Sequence, residues 1–258
     1  MNIRCVQMDI GADPARNLEY AVALAQSLPL DPVDVLLFPE MFSTGFQVER
    51  IHELAHGHDD ALFGVFQDLA RRANVNMVLG SLACKTDGHV RNTTFVMDRQ
   101  GRIVSAYSKC HLFALMGEPK YLCAGDALHH FDLDGVRMSS IICYDLRFPE
   151  LTRKLFVDRS PAVVFVPMSW PAPRTNVFRT LLRARAIENQ CFVVSANRVG
   201  TENSSRFEGY STVADPYGNV VGELPLVEGV LDVALDLSLV EKARTQMDCL
   251  GDRRPDLY

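Results

Sequence analysis

Continuous apolar runs that alternate with amphipathic segments constrain this chain more than any other feature. The runs "VDVLLFPE", "RMSSIICY" and "AVVFVPMSW" lack the polar residue at every second position that a half-exposed strand would show, which is typical of strands covered on both faces. Between the runs lie segments such as "ALFGVFQDLARRAN", in which the apolar residues 62, 65, 66 and 69 recur at helical spacing. The alternation predicts a layered α/β fold.

The same patterns assign the remaining elements. They predict strands over residues 3–10, 33–40, 76–84, 92–98, 103–109, 137–144, 162–170 and 191–199. They also predict helices over residues 13–28, 61–74, 149–158 and 179–189, and a hairpin over 210–224 that turns at residues 215–218. Because the sequence contains no repeat, low-complexity segment or linker, residues 1–258 are expected to form a single domain.

Composition narrows the class of partner. The 258 residues are 48% hydrophobic and 22% charged, which is enough apolar material for a full core without disulfides. A net charge of -6 and the lack of a lysine- and arginine-rich run argue against nucleic acid or an anionic membrane. The seven cysteines include no CxxC pair, as expected in a reducing compartment. Without a signal-peptide pattern or an apolar run of about 18 residues, the expectation is a cytoplasmic protein with a small-molecule substrate.

Reactive side chains stand where predicted strands end. Glu40 ends "DVLLFPE", Lys109 ends "IVSAYSK", Cys143 lies near the end of "RMSSIICY", and Ser169 and Trp170 end "AVVFVPMSW". In layered α/β folds, ligands bind at the carboxyl ends of strands. A carboxylate, an amine and a thiol at these positions are therefore candidates for one site.

Together these groups suit acyl transfer through a thioester, without metal or cofactor. A free thiol has a pKa of about 8.5 and needs a neighbouring base or cation to act as a nucleophile at neutral pH. Glu40 would take the proton of Cys143 and pass it to a leaving amine. Lys109 and the backbone N–H of Tyr144 would hold the oxyanion.

Three motifs carry a family resemblance. "LLFPEMFSTGF", "YSKCHLF" and "IICYDLRFPEL" occur in that order, with about 70 and 34 residues between the polar positions, and resemble the Glu, Lys and Cys motifs of the nitrilase, or carbon-nitrogen hydrolase, superfamily. "RARAIENQCFVVSANRVG" and "GYSTVADPYGNVV" extend the resemblance over nearly the whole chain. It implies that Glu40 is the general base, Lys109 the oxyanion stabiliser and Cys143 the nucleophile, and that Glu118 is a second active-site glutamate.

The resemblance also implies an architecture. Members of the superfamily form a four-layer α-β-β-α sandwich whose protomers pair through their helical layers. A homodimer is therefore expected, with a C-terminal tail over about residues 238–258 used in dimer contacts.

Within the superfamily, "PEMFSTGF", "CYDLRFPEL" and "SWPAPR" resemble the omega-amidase branch. That branch hydrolyses the terminal amide of 2-oxo acids such as 2-oxoglutaramate and 2-oxosuccinamate, giving the dicarboxylate and ammonia. Other small carboxylated amides and N-carbamoyl compounds, which are substrates elsewhere in the superfamily, stay open, as does a catalytically silent binding module.

A carboxylated substrate needs a cation, and a guanidinium is a natural partner for a carboxylate. Arg147 is the first candidate and Arg174 the second, although Arg147 alternatively pairs with Asp145 or Glu150. The residues expected to wall a pocket for a five-carbon chain are Phe42, Phe46, Tyr144, Met116 and Trp170.

Several singled-out residues have a structural alternative. Trp170 alternatively belongs to the core, and Glu118 to a solvated loop. Glu188 is assigned to a structural salt bridge. Cys110, next to His111, is a rival nucleophile, but adjacent side chains of an extended segment point to opposite faces, so the two cannot pair directly.

The stretch "HELAH" offers a zinc hypothesis. His52, Glu53 and His56 match the H-E-x-x-H pattern of zinc peptidases, and His58 follows. Gly57 would end the helix that must present both histidines, and the metzincin continuation is absent. The interpretation is therefore a polar helix near the pocket mouth, with no metal site. GxSxG, Walker and GxGxxG patterns are also absent.

Overall fold

Two β-sheets form the centre of the molecule. The computed structural model describes residues 1–27, 29, 32–57, 59–158 and 160–257. Within these ranges the first sheet consists of β1 (Asn2–Gln7), β2 (Val35–Leu37), β3 (Asn76–Val78), β4 (Leu82–Thr86), β5 (His89–Met97), β6 (Ile103–Ser108) and β14 (Gly229–Ala234). Its order is β14-β1-β2-β3-β5-β4, and β6 pairs with β5.

The second sheet has a similar plan. It consists, among the described residues, of β7 (His130–Leu133), β8 (Val136–Ser140), β9 (Val163–Pro167), β10 (Phe192–Ala196), β11 (Val199–Glu202), β12 (Ser205–Ala214) and β13 (Val220–Pro225). Its order is β11-β12-β10-β9-β8-β7, and β13 pairs with β12. Parallel pairing joins β1, β2 and β3 in the first sheet and β8, β9 and β10 in the second.

Helices cover the outer faces of both sheets. They are α1 (Pro14–Ser27), α3 (Ala61–Ala73), α5 (Pro149–Asp158) and α6 (Thr175–Asn189). The helices α2 (Ile51–Leu54) and α4 (Glu118–Tyr121) are single turns in connecting segments, and α7 (Ser238–Gln246) contributes Val240 to the apolar cluster between the sheets. α1 and α3 share an apolar cluster with the first sheet, and α5 and α6 share one with the second. A third cluster joins the inner faces of the two sheets. The predicted four-layer α-β-β-α sandwich is confirmed.

The layers explain the continuous apolar runs. In β2, Val35 and Leu37 face the cluster between the sheets, while Leu36 faces the helices α1 and α3. In β9, Phe165 faces the inner cluster and Val164 faces α5 and α6. Because both faces of β2 and β9 are covered, every position of these two strands is apolar.

Several predicted strands end earlier than expected. β2 ends at Leu37 and β8 at Ser140, so Glu40 and Cys143 each lie three residues beyond the strand rather than at its last position. The predicted strand over 76–84 is divided into β3 and β4, because Gly80 adopts a φ of +41° and a Cβ there would lie 1.9 Å from the Pro39 carbonyl oxygen. The strand predicted over 191–199 likewise divides into β10 and β11.

The helix and hairpin predictions differ from the structure mainly at their bounds. α3 begins after Asp60, whose side chain accepts a hydrogen bond from the Leu62 N–H, and it ends at Asn74 in the left-handed region. α6 begins at Thr175, four residues before the predicted start. Leu28, the predicted last residue of the first helix, lies outside the described residues. The hairpin between β12 and β13 is confirmed, and the Gly218 N–H closes its turn on the Asp215 carbonyl.

The C-terminal segment packs on its own protomer. Val240 and Ala243 of α7 are buried, and the Gln190 amide donates hydrogen bonds to the carbonyls of Ala243 and Met247. No helix among the described residues has the length and apolar character needed to cross a bilayer.

Candidate active site

Loops that leave the parallel strands bring the catalytic candidates together. Glu40 follows β2, Cys143 follows β8 and Ser169 follows β9, while Lys109 comes directly after β6. A hydrogen bond from the Ser169 hydroxyl to the Glu40 carbonyl, 2.9 Å long, joins the loops of the two sheets. The site therefore lies where both sheets present the carboxyl ends of their strands.

Lys109 joins two buried carboxylates. Its Nζ lies 2.8 Å from Oε1 of Glu40 and 2.8 Å from Oε1 of Glu118. All three side chains are at most 1% exposed. The second carboxylate oxygen of Glu118 accepts the Phe113 N–H at 2.5 Å. Glu118 thus belongs to the charged cluster and is not a solvated loop residue.

Neutral donors complete the surroundings of Glu40. The Asn92 amide donates to Oε1 at 2.9 Å, and the Ser169 N–H donates to Oε2 at 3.0 Å. Oε1 therefore has two donors, Lys109 and Asn92, whereas Oε2 has the Ser169 N–H. Cys143 and Ser169 line the same cavity, and the Glu40 carboxylate and the Ser169 N–H both shift the pKa of the Cys143 thiol, the first upward and the second downward.

Cys143 opens a tight turn rather than ending a strand. A 3₁₀ turn spans Cys143–Arg147, and Cys143 itself has a φ of +44°, an uncommon conformation for a residue with a side chain. Asp145 supports the turn, because its buried carboxylate accepts the Ile142 N–H at 3.1 Å and the Tyr107 hydroxyl at 2.7 Å. The predicted nucleophile is therefore held in a constrained geometry.

Burial and charge set the proton affinities of the site. Burial raises the pKa of the Cys143 thiol well above its usual value, and the charge of Glu40 raises it further, whereas Lys109 lowers it. Burial also raises the pKa of Glu40, against the lowering effect of Lys109. Burial by itself would lower the pKa of Lys109, but Glu40 and Glu118 together raise it. Burial therefore favours the neutral thiol of Cys143, while the two neighbouring glutamates favour the charged ammonium of Lys109.

A small cavity opens above the thiol. Its lining residues are Phe46, Lys109, Phe113, Met116, Cys143, Tyr144, Arg147, Ser169, Trp170, Pro171 and Arg174. The Arg147 guanidinium lies 4.9 Å from the Trp170 ring centre, and the Arg174 guanidinium lies 5.7 Å from the Phe113 ring centre. Neither guanidinium forms a salt bridge with any residue that the structure describes. Two unneutralised cations therefore face a mostly aromatic cavity.

Most of the residues predicted for the site meet at this cavity, but Phe42 does not. It is fully buried in the cluster between the first sheet and its helices, with its ring 5.1 Å from Phe38 and 5.9 Å from Phe66. The prediction that Phe42 walls the pocket is wrong, because its side chain fills the space beneath α3 instead. Trp170 serves both predicted purposes, since it lines the cavity and packs on Phe178 in the core.

Arg147 forms no ion pair with either of its predicted alternative partners, Asp145 and Glu150, both of which the structure describes. The Asp145 carboxylate binds Tyr107 and the backbone N–H and Nδ1 of His111, and it makes no ion pair with Arg147.

Glu188 forms a salt bridge with Arg185 at 3.1 Å, as predicted.

The rival nucleophile lies outside the charged cluster. Cys110 is half-buried, and its Sγ lies 3.9 Å from the Ser108 carbonyl oxygen. The imidazole of His111 is directed to Asp145 at 2.9 Å and stacks on Phe148. Cys110 therefore has no base at hydrogen-bonding distance among the described residues.

The zinc pattern is not presented on one helix. α2 ends at Leu54, and His56 lies in an extended bridge with Cys84. His56 Nε2 lies 3.0 Å from the Ser43 hydroxyl and Nδ1 lies 2.8 Å from Asp60. His58 lies outside the described residues. Across the described ranges, no group of three or more His, Cys, Asp or Glu side chains is arranged to hold a metal ion.

The sequence patterns missed three contributors to the site. Asn92 contacts Glu40, the Ser169 N–H contacts Glu40 and lowers the pKa of the Cys143 thiol, and Phe113 lines the cavity. Asn92 is the first residue of a predicted strand. Polar residues are common at that position, so the sequence pattern did not indicate a role in the site. Phe113 stands between the Lys109 and Glu118 motifs, and that position was a usable hint.

Comparison with known proteins assigns the family. Residues 2–245 match the family model described as carbon-nitrogen hydrolase. The chain is 37% identical over 257 residues to 2-oxoglutaramate amidase of Bacillus subtilis, covering 99% of this chain and 98% of that protein. It is 32% identical to omega-amidase YafV of Escherichia coli strain K12, covering 85% of this chain and 84% of that protein.

A solved structure agrees. XC1258 of Xanthomonas campestris, a CN-hydrolase superfamily protein with an arsenic adduct in its active site, matches with a TM-score of 0.92 and 30% sequence identity over 98% of this chain and 97% of its own. The chain therefore belongs to the carbon-nitrogen hydrolase family, as the motifs predicted. It is a hydrolase that cleaves the carbon–nitrogen bond of amides.

Proposed function

We propose that this enzyme is an omega-amidase, which hydrolyses the terminal amide of 2-oxoglutaramate and 2-oxosuccinamate to the dicarboxylate and ammonia. One observation carries the proposal: a single cavity is lined by the Cys143 thiol, with its carboxylate and ammonium neighbours, and by two guanidiniums that have no acidic partner among the described residues. In an amide that carries a carboxylate at its other end, the amide carbon would meet the thiol and the carboxylate would meet a guanidinium. The names of the B. subtilis and E. coli relatives support the same substrate class.

In the first half of the reaction, the Cys143 sulfur attacks the amide carbon while its proton moves to Oε2 of Glu40. Lys109 Nζ and the backbone N–H of Tyr144 bind the negative charge that develops on the carbonyl oxygen. The carbon–nitrogen bond then breaks, and Glu40 returns the proton to the leaving nitrogen, which departs as ammonia. A thioester on Cys143 remains.

In the second half, water takes the place of ammonia. Glu40 removes a proton from the water as it attacks the thioester carbon, and Lys109 again binds the oxyanion. The carbon–sulfur bond breaks, and Glu40 returns the proton to the Cys143 sulfur. The new carboxyl group loses the remaining proton of the water to the solvent, and the product leaves as a carboxylate. Glu118 acts by holding the Lys109 ammonium between two carboxylates, 2.8 Å from each.

The substrate carboxylate is assigned to the guanidiniums of the cavity wall. Arg147 is the first partner, because it belongs to the same 3₁₀ turn as Cys143 and lies over Trp170. Arg174 is the second, from the turn Ala172–Arg174. The aromatic and apolar residues between them, Phe46, Phe113, Tyr144, Met116 and Trp170, enclose the short carbon chain.

The enzyme is further proposed to act in the cytoplasm as a homodimer that pairs through the helical layer of α5 and α6 and the C-terminal tail. Val157, Val177 and Ile187 on these helices, and Met247 after α7, are exposed apolar side chains. Seven free cysteines suit a reducing compartment.

The decisive experiment is ammonia release from 2-oxoglutaramate by the purified wild type and by Cys143→Ala. Release by the wild type alone is expected, since the alanine variant has no nucleophile. Circular dichroism of the variant checks that its fold is intact. Equal release by both proteins would contradict the thioester route. If neither protein releases ammonia, while the wild type does hydrolyse an N-carbamoyl amino acid, the substrate assignment is wrong.

A further inference from the structure

Asn92 is a fully buried polar residue that no step of the proposed reaction uses. It lies in β5, and its side-chain Nδ2 donates to Oε1 of Glu40 at 2.9 Å and reaches Oε1 of Glu118 at 3.5 Å. Its backbone carbonyl accepts the Lys109 N–H at 2.8 Å. This single residue therefore contacts all three members of the buried charged cluster.

The other end of the Asn92 side chain has no hydrogen-bond partner. Oδ1 is buried without a donor from the part of the chain that the structure describes. A buried amide that served only the fold would be expected to bind at both ends, because an unsatisfied carbonyl oxygen costs about 1–3 kcal/mol. The orientation of the amide is thus accounted for by the two carboxylates.

Charge explains why a neutral donor is useful at this point. Glu40 and Glu118 share the single ammonium of Lys109, so this buried cluster has two acidic groups and only one cation. Burial and the charge of Glu118 raise the pKa of Glu40. An N–H donor opposes that rise without adding another ion, because a hydrogen bond to the charged form of a carboxyl lowers its pKa.

Geometry adds a second effect. Lys109 and Asn92 both bind Oε1 of Glu40, and the opposite oxygen, Oε2, is the one beside the Ser169 N–H. A carboxylate held in this way cannot rotate without losing two hydrogen bonds. Its second oxygen then stays directed to the Ser169 N–H, and Ser169 lines the same cavity as Cys143.

We propose that Asn92 is a positioning residue of the amidase reaction, which binds Oε1 of Glu40 and so keeps Oε2 ionised and directed at the thiol of Cys143. The inference rests on the proposed function for the roles of Glu40 and Cys143. It adds a residue that determines which carboxylate oxygen receives the proton, and it makes the base dependent on an amide from the first sheet.

The test compares Asn92→Ala and Asn92→Leu with the wild type and with Thr94→Val. Thr94 is a suitable control because it is buried two residues further along β5, and its hydroxyl has no partner among the described residues. The kinetic constants for 2-oxoglutaramate are measured across the pH range, and rates are divided by the amount of Cys143 thiol that iodoacetamide titrates.

Both Asn92 variants are expected to lose about 100-fold in kcat, the cost of a misplaced catalytic group, with little change in KM. The acid limb of kcat/KM for the wild type should lie above the ordinary glutamate pKa of about 4.3, because burial raises the pKa of Glu40. In the Asn92 variants this limb should move to higher pH than in the wild type, since a donor to the ionised form of Glu40 is lost. Thr94→Val should keep the wild-type profile.

The rate at which iodoacetamide alkylates Cys143 gives a readout that needs no amide substrate. Its pH dependence should move in the same direction as the acid limb in both Asn92 variants, so failure of the substrate assignment leaves this test intact. Profiles that coincide with the wild type, or kcat losses that vanish after correction for titratable thiol, would overturn the proposal. If Asn92→Leu does not fold, the smaller alanine variant carries the same comparison.

Discussion

Single residues in the active site depend strongly on their immediate partners. The thiol of Cys143 is held neutral by burial and by the charge of Glu40, so its reactivity requires proton transfer to the carboxylate beside it. The guanidinium of Arg147 shows the opposite situation, because no acidic group neutralises it among the described residues. Under the proposed function, the Cys143 thiol would attack the carbonyl carbon of the substrate, and the Arg147 guanidinium would bind its carboxylate.

A prediction at this scale concerns the carboxylate contact. Arg147→Lys should raise KM for 2-oxoglutaramate about tenfold, because a hydrogen bond to a charged group contributes about 1.5 kcal/mol or more and an ammonium cannot form two parallel bonds. The matched control is Arg206→Lys. Arg206 is exposed, lies 3.6 Å from Glu208 and does not line the cavity above Cys143, so the KM of this variant for 2-oxoglutaramate should not change.

Steady-state kinetics of Arg174→Lys completes this comparison. If Arg147→Lys behaves as the wild type while Arg174→Lys has the raised KM, the carboxylate contact belongs to Arg174. An unchanged KM in both variants would contradict a guanidinium contact with the substrate.

At the scale of elements, the turn that carries the nucleophile is the feature with the least local support. Cys143 has a positive φ, and the 3₁₀ turn Cys143–Arg147 is too short to be stable by itself. Asp145 connects this turn to β6 through the Tyr107 hydroxyl and to the following loop through His111. The geometry of the nucleophile therefore depends on hydrogen bonds between elements that are distant in sequence.

Removing one of these bonds should destabilise the protein measurably. Tyr107→Phe leaves the buried Asp145 carboxylate one donor short, and we expect a loss of about 1–3 kcal/mol in the free energy of unfolding together with a lower kcat. Tyr217→Phe is the control, because its hydroxyl binds Gln246 on the surface, and it should change stability by less than about 0.5 kcal/mol. Urea unfolding measures both, and equal effects would show that the bond to Asp145 does not support the turn.

At the scale of the whole molecule, the two central sheets leave one helical layer on each outer face. The layer of α5 and α6 carries exposed Val177 and Ile187, and the layer of α1 and α3 carries exposed Val65. Only the first of these layers neighbours the turn of the nucleophile, since α5 directly follows that turn. Pairing through it would place the two active sites near the dimer interface.

The oligomer prediction follows from this arrangement. Light scattering after gel filtration should give about twice the chain mass of 28.8 kDa for the wild type. Ile187→Glu should shift the protein toward the single chain, because a charge would be buried in the interface. Val65→Glu, on the opposite layer, should leave the mass unchanged. A wild type with the mass of one chain would contradict the dimer.

The local patterns of the chain predicted much of this molecule but misplaced several details. The continuous apolar runs identified central strands because both faces of those strands are covered, as Leu36 and Leu37 show. The runs could not reveal where pairing stops, because apolar character continues past the last ladder hydrogen bond. The prediction for Phe42 is wrong for a different reason, because an apolar side chain suits a pocket wall and a core equally well.

The sequence by itself determined the layered α/β class and the family, and it predicted Glu40, Lys109 and Cys143 as the catalytic residues, because these depend on local periodicity and on short motifs. Only the tertiary structure decided that Glu118 joins Lys109, that Asn92 and the Ser169 N–H hold Glu40, and that Phe42 lies in the core. Those contacts join residues that are 9 to 129 positions apart in the chain. The contact of Ser169 with Glu40 exists because the two sheets pack face to face, and that of Asn92 exists because β2 and β5 belong to the same sheet, and no local pattern encodes either arrangement.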